Sequence, residues 1–142
     1  MCYCRWAINR SPLIYGADIR HASSADEFAL LTNAEVLAVS ATSSDNRPVE
    51  VHDASRAAAT ATWTAKGRGG EVYVAFIKRA QVATTAVVSF AELGMAPNTT
   101  GCAVRDLWAG EAVTPAAGTA ASWAQPGGTG YDGAMFSLTK CK

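Results

Sequence analysis

The chain has 142 residues, enough for one full domain, or one plus part of another, and for burying roughly 70% of its unfolded surface. Apolar residues make up 49% of it, against 17% charged, which excludes a disordered tail. Twelve Lys and Arg balance twelve Asp and Glu, so no basic excess is present to neutralise phosphates, and neither nucleic acid nor an anionic membrane is an expected partner. Alanine supplies 29 positions, so the core must rest on few bulky side chains. No apolar run approaches the ~20 residues of a membrane span. The segment Met1-Cys2-Tyr3-Cys4-Arg5-Trp6 lacks the layout of a secretory signal, so localisation is not written in the sequence.

The first 39 residues read as helix, strand, helix. Ser11-Pro12 breaks the opening segment, and Leu13-Ile14-Tyr15-Gly16-Ala17 reads as a short apolar strand of the buried, parallel-sheet kind. Ser24 with Glu27 three residues on forms a capping box, after which Phe28, Leu31, Val36 and Val39 recur at helical spacing, with Asn33 a point of interruption. Residues 40–50 offer almost nothing to bury and read as a linker or loop.

Beyond them the period changes to two. Ala59, Ala61, Trp63 and Ala65 alternate with Thr60, Thr62, Thr64 and Lys66, which predicts a strand with its alanine and tryptophan face on a core and its threonine face in water. Lys66-Gly67-Arg68-Gly69-Gly70 reads as a hairpin loop, and Glu71 to Ile77, apolar on both faces, as a central strand. Further strands are expected at Val82 to Phe90, Cys102 to Trp108, Thr119 to Ala124 and Ala134 to Thr139. The fold class is therefore mainly β: an antiparallel sandwich of Greek-key type over 51–142, preceded by an α/β segment over 1–39.

Candidate chemistry is sparse. Glu50 and His52 share a strand face in Glu50-Val51-His52-Asp53, but two ligands make no metal site. His21 follows Asp18-Ile19-Arg20 and reads as a lead into the next helix. Gly67 to Gly70 joins two strands, whereas phosphate loops lead into a helix. Asp26 and Glu27 sit in a helix first turn, where the dipole accounts for them. Trp63, Tyr73, Phe76, Phe90, Trp108, Trp123, Tyr131 and Phe136 are core candidates first and a sugar-stacking platform second. Cys2, Cys4, Cys102 and Cys141 lack zinc spacing; a Cys102–Cys141 disulfide and separate thiols both remain open. Asn98-Thr99-Thr100 is an N-glycosylation sequon, and Asn9-Arg10-Ser11 a second one spoiled by Pro12. Nothing requires a metal or cofactor.

The string Arg5-Trp6-Ala7-Ile8-Asn9-Arg10-Ser11-Pro12-Leu13-Ile14-Tyr15-Gly16-Ala17-Asp18-Ile19-Arg20 resembles the end of the catalytic barrel in family 27 glycoside hydrolases, the α-galactosidases (melibiases) and α-N-acetylgalactosaminidases. Leu31 to Val39 is similar to the segment that follows in that family. Val74-Ala75-Phe76-Ile77-Lys78-Arg79, Ser89-Phe90-Ala91-Glu92-Leu93-Gly94 and Val104-Arg105-Asp106-Leu107-Trp108 occur in the order found in its C-terminal sandwich. The resemblance implies that residues 1–39 are the last helix-strand-helix of a (β/α)8 barrel, that 40–50 link it to a sandwich over 51–142, and that the family reaction is hydrolysis of terminal non-reducing α-galactosyl groups.

Ser40-Ala41-Thr42 stand where the family usually has Asn-Gln-Asp. Family members are retaining enzymes with an Asp nucleophile and an Asp acid/base, held ~5–5.5 Å apart; both lie upstream of the Trp-Ala-Pro-Leu stretch, so no catalytic residue carries over, and Asp18 takes a structural role. The expected partners are a galactose-containing glycan for the family and the remaining barrel. One strand and two helices without that barrel would expose apolar surface around Trp6, Leu13, Ile14, Phe28 and Leu31, a patch that invites docking on the sandwich, self-association or disorder. By resemblance the compartment is lysosomal, vacuolar or extracellular. The alternative class is a non-catalytic sandwich module that binds carbohydrate or protein.

Overall fold

The computed structural model describes residues 3–16, 18, 20, 24–50, 59–79, 83–125 and 133–142. Its elements are α1 (Tyr3–Ile8), α2 (Ala25–Leu31), α3 (Ala34–Thr42), β1 (Ser44–Pro48), β2 (Thr60–Lys66), β3 (Val72–Lys78), β4 (Thr84–Ser89), β5 (Gly101–Asp106), β6 (Glu111–Ala117), β7 (Ala120–Gln125) and β8 (Gly133–Thr139). Every described strand pairing is antiparallel. The large sheet has the order β1-β2-β3-β8-β5-β6, and β4 pairs with β7 in a second sheet. The chain passes between the sheets on either side of β4 and of β7, which is how a sandwich closes over its core.

Two cores lie on opposite faces of the large sheet. Val74, Phe76, Ala134, Phe136 and Leu138 point toward the small sheet and pack with Ala86, Val88, Phe90, Leu93 and Ala121. The alternate residues Ala75 and Met135 point the other way and pack with Cys4, Ala7 and Ile8 of α1 and with Val36 and Val39 of α3. β3 is therefore covered above, below and on both edges, the physical reason its sequence is apolar throughout.

The same layering corrects the reading of β2. Thr62 lies opposite Phe76 and Thr64 opposite Val74, so the threonines share the inter-sheet face, and Thr64 is only 2% exposed. Trp63 and Ala65 face the helices instead. A sheet covered on both faces leaves no water-facing side, and threonine's branched shape suits a buried strand.

Two further expectations change, and one edge strand appears that no pattern announced. Leu13 to Gly16 forms no strand, because among the described residues no neighbouring strand offers the hydrogen bonds that a parallel strand needs. Residues 40–50 are not a linker: α3 runs through Thr42, and Ser44–Pro48 add β1 to the edge of β2. The register of β1 shifts between Ser44 and Arg47, where Asp45 takes φ +53°, a local bulge that ends easy pairing on an exposed edge. Finally, β6 forms the other edge from a largely exposed segment, and its Pro115 suits an edge position.

The helical layer is fixed by side-chain to backbone bonds. Ser24 caps α2 by accepting from the Glu27 N–H, Thr32 closes that helix by donating its N–H to the Phe28 carbonyl, and Asn33 begins the next, accepting from the Val36 N–H at 3.0 Å while donating to the Leu107 carbonyl at 3.0 Å. Arg10, at φ +53°, donates to the carbonyls of Ser40 and Ser43, both at 3.0 Å, and so satisfies the C-terminal end of α3. Asn46 donates to the Ile8 carbonyl at 2.7 Å, which ties α1 to β1.

Candidate functional site

Catalysis by a glycosidase needs two carboxyl groups facing one cleft, one of them with its pKa raised. The described carboxylates are arranged otherwise. Both oxygens of Asp18 accept from the Arg20 guanidinium, at 2.7 to 3.1 Å, in an exposed local pair. Glu71 accepts from the Gly69 N–H at 2.8 Å, so the glycine loop's donor is already taken by an anion of its own hairpin. Glu92 accepts from the Ser89 N–H and hydroxyl, and Asp106 from the backbone N–H groups of Trp108 and Ala109. Asp26 and Glu27 occupy the first turn of α2. Glu35 and Asp45 have their pKa values lowered, Glu35 chiefly by the hydrogen bond from Arg105 and Asp45 by that from Lys66. A lowered pKa is the opposite of what a general acid requires.

Glu35 and Arg105 form a two-pronged pair, at 2.8 and 2.7 Å, that joins α3 to β5. Folding makes Glu35 harder to protonate, so the stabilisation is fully present above the ordinary glutamate pKa of about 4.3 and is lost as pH falls through the lower folded value. The expected result is a Tm difference between wild type and Glu35→Gln at pH 6 that shrinks toward zero below pH 4. A difference constant over that range in thermal melts would contradict it.

Three clefts bear on function. One of about 440 Å³, beside β2 and β3, is lined by Arg5, Thr60, Thr62, Trp63, Lys78 and Arg79 among others, with no carboxylate among the described residues that line it. A second, of about 420 Å³, opens between the sheets; its lining includes Val113, Trp123, Phe136 and one carboxylate, Asp106. The Trp123 ring stacks on Phe76 with centroids 6.1 Å apart, so its burial is mainly core packing.

The third cleft, about 440 Å³, lies on the helical layer and is lined by Tyr3, Trp6, Leu13, Ile14, Tyr15, Phe28, Leu31 and Leu37, with Gly16 and Thr32. Ile14 is 83% exposed and Phe28 50%. Beneath it the layer is well supported: Tyr3 packs on Trp108 at 6.0 Å, and the Trp108 indole N–H donates to the Cys4 sulfur at 3.3 Å. Partial burial raises the Tyr3 phenol pKa. An apolar face of this kind on a rigid base is suited to docking rather than to bond cleavage.

The sequence reading foresaw Trp6, Leu13, Ile14, Phe28 and Leu31 in this face. It missed Tyr3, Tyr15 and Leu37, whose only signal is their apolar bulk on helices and turns flanking the others. His21, His52, Asp53 and Tyr131 lie outside the described residues, as do Ala17 and Ile19. Among the described residues no group of three His, Cys, Asp or Glu is placed to hold a metal. Asn98 is exposed in a turn, and Cys102 and Cys141 are joined in a disulfide.

The sandwich carries a helical layer with an exposed apolar face, and Asp18, Glu35, Asp45, Glu71, Glu92 and Asp106 are each bonded within the fold, an arrangement that suits an accessory domain. Comparison with known proteins agrees. Residues 57–129 match the family described as the alpha galactosidase C-terminal beta sandwich domain. An α-galactosidase of Coffea arabica is 34% identical over 104 residues, which is 73% of this chain and 26% of that protein.

Among solved structures, a GH27 β-L-arabinopyranosidase of Geobacillus stearothermophilus superposes with a TM-score of 0.81 at 25% identity, over 96% of this chain and 28% of that one. An α-galactosidase of Mortierella vinacea shares the fold, with a TM-score of 0.77 at 18% identity over 94% of this chain and 33% of that one. The chain belongs to glycoside hydrolase family 27, to its α-galactosidase C-terminal part. It spans between a quarter and a third of the length of these relatives.

Proposed function

We propose that this chain serves a family 27 glycosidase as its sandwich and the barrel-end layer adjoining it, and that it performs no bond cleavage alone. The whole enzyme's substrate class is then a glycan with terminal α-galactosyl groups. In this reading residues 1–39 belong with a barrel, and the sandwich braces them from behind. The single observation that carries the proposal is the apolar face of Trp6, Ile14, Phe28 and Leu31, which the remaining barrel would cover.

The test is association. Purified wild-type chain is expected to self-associate with rising concentration in sedimentation velocity and to bind a hydrophobic dye. The double variant Ile14→Ser/Phe28→Ser is expected to lose both properties while its Tm stays within a few degrees, since these side chains are exposed. A monomeric wild type without dye binding would overturn the proposal, as would a collapse in Tm of the variant, which would make these residues core.

A second reading, a carbohydrate-binding module, has one observation in its favour: the inter-sheet cleft pairs the Trp123 ring with Asp106 and the hydroxyls of Thr114 and Ser122, groups that suit a sugar. Titration with galactose-terminated glycans separates the two. Saturable quenching of tryptophan fluorescence that Trp123→Ala abolishes favours the module, and a flat titration favours the bracing role.

A further inference from the structure

We propose that Asn98 is an N-glycan acceptor, presented on the turn between β4 and β5. Three observations converge there. The first is chemical: Asn98-Thr99-Thr100 places a hydroxyl two residues after the amide with no proline between.

The second is geometric. The turn is closed by the Thr99 N–H donating to the Ala96 carbonyl at 3.0 Å, which leaves Pro97 and Asn98 at its tip, both exposed. Thr99 is buried and anchors the turn from below. The Thr100 N–H donates to the Lys142 carbonyl at 2.6 Å, so the turn is pinned to the chain's end. Just upstream, Leu93 and Met95 pack into the inter-sheet core. A glycan on Asn98 would therefore project into solvent from the sandwich layer.

The third is the neighbouring covalent chemistry. Cys102, four residues beyond Asn98, is disulfide-bonded to Cys141. Such bonds persist in oxidising compartments, and the secretory lumen is where sequons are used. One end of the sandwich thus carries two features with the same compartmental requirement.

In the modification step the Asn98 amide nitrogen forms a bond to the anomeric carbon of a polyprenyl-diphosphate-linked oligosaccharide. The anomeric C–O bond breaks, the diphosphate leaves on its lipid carrier, and the amide gives up one proton. No electrons are transferred.

The other sequon, at Asn9, is a poor competitor. Arg10 inside it is held to the carbonyls of Ser40 and Ser43, the Ser11 N–H donates to the Trp6 carbonyl, and Pro12 follows. A glycan there would also crowd the face around Trp6.

The test is translation of the chain, fused to a heterologous signal peptide, in the presence of microsomes, where modification is read on the nascent chain whether or not it folds. The expected result is a single upward gel shift, reversed by peptide N-glycosidase with conversion of Asn98 to aspartate in the peptide mass spectrum. Asn98→Gln and Thr100→Ala should abolish the shift; Thr100→Ser and Asn9→Gln should retain it. An unshifted wild-type product, or a shift that survives Asn98→Gln, would overturn the proposal.

Discussion

Reduction of the Cys102–Cys141 disulfide is expected to lower the stability of the chain by about 4 kcal/mol, from the loop entropy released by a cross-link spanning 39 residues. For a chain of this size that is a fall in Tm of roughly 10–15 °C. The bond joins β5 to the segment after β8, and the Lys142 N–H and carbonyl also bond to Gly101 and Thr100. Once the cross-link opens, only these hydrogen bonds and the β5–β8 pairing hold the end in place, and they lack the reach to constrain the unfolded state. Melts with and without reductant should show the loss, and Cys102→Ser and Cys141→Ser should each reproduce it and become insensitive to reductant. An unchanged Tm on reduction would mean that the bond contributes nothing.

The second large effect concerns whether the helical layer is part of the sandwich's folding unit. Ile8 is fully buried between α1 and the large sheet, and Phe76 is buried between the two sheets. Truncation costs about 2–5 kcal/mol for Ile8→Ala and about 3–5 kcal/mol for Phe76→Ala, from lost burial plus the cavity left behind. Ala75 and Met135 sit on the same strands as Phe76 and Phe136 but face the helices, so a disturbance of either core reaches β3 and β8 directly. Each variant is therefore expected to shift one common transition, seen alike by helical circular dichroism and by tryptophan fluorescence in urea. If, in a background that keeps Trp123 as the sole tryptophan, Ile8→Ala melts the helices early and leaves the fluorescence midpoint unchanged, the layers fold separately.

These cores explain what was legible in the sequence. β2, β3, β4, β5, β7 and β8 announce themselves by alternation or by apolar runs, because burial imposes those patterns. The Ser24 cap and the break at Asn33 are local signals and were equally readable. β1 and β6 were not, since an edge strand with one paired side and exposed side chains has no burial to encode. Leu13 to Gly16 shows the converse. Its composition reads as a parallel strand, but a strand exists only with a partner, and none stands beside it among the described residues.

Long-range bonds were likewise invisible. Arg10 reaches α3 across some thirty residues and Arg105 reaches Glu35 across seventy, distances at which sequence spacing carries no information. The docking face was partly legible, because exposed Trp6, Ile14 and Phe28 follow from apolar residues placed where the visible elements could not bury them.

A family 27 architecture without cleavage chemistry of its own makes one direct demand on the initial rate of p-nitrophenol release from p-nitrophenyl α-D-galactopyranoside, measured with purified chain at high concentration. The expected result is a rate equal to the enzyme-free blank, unaltered by Asp106→Asn or Asp18→Asn. Release that saturates with substrate and falls in either variant would contradict it.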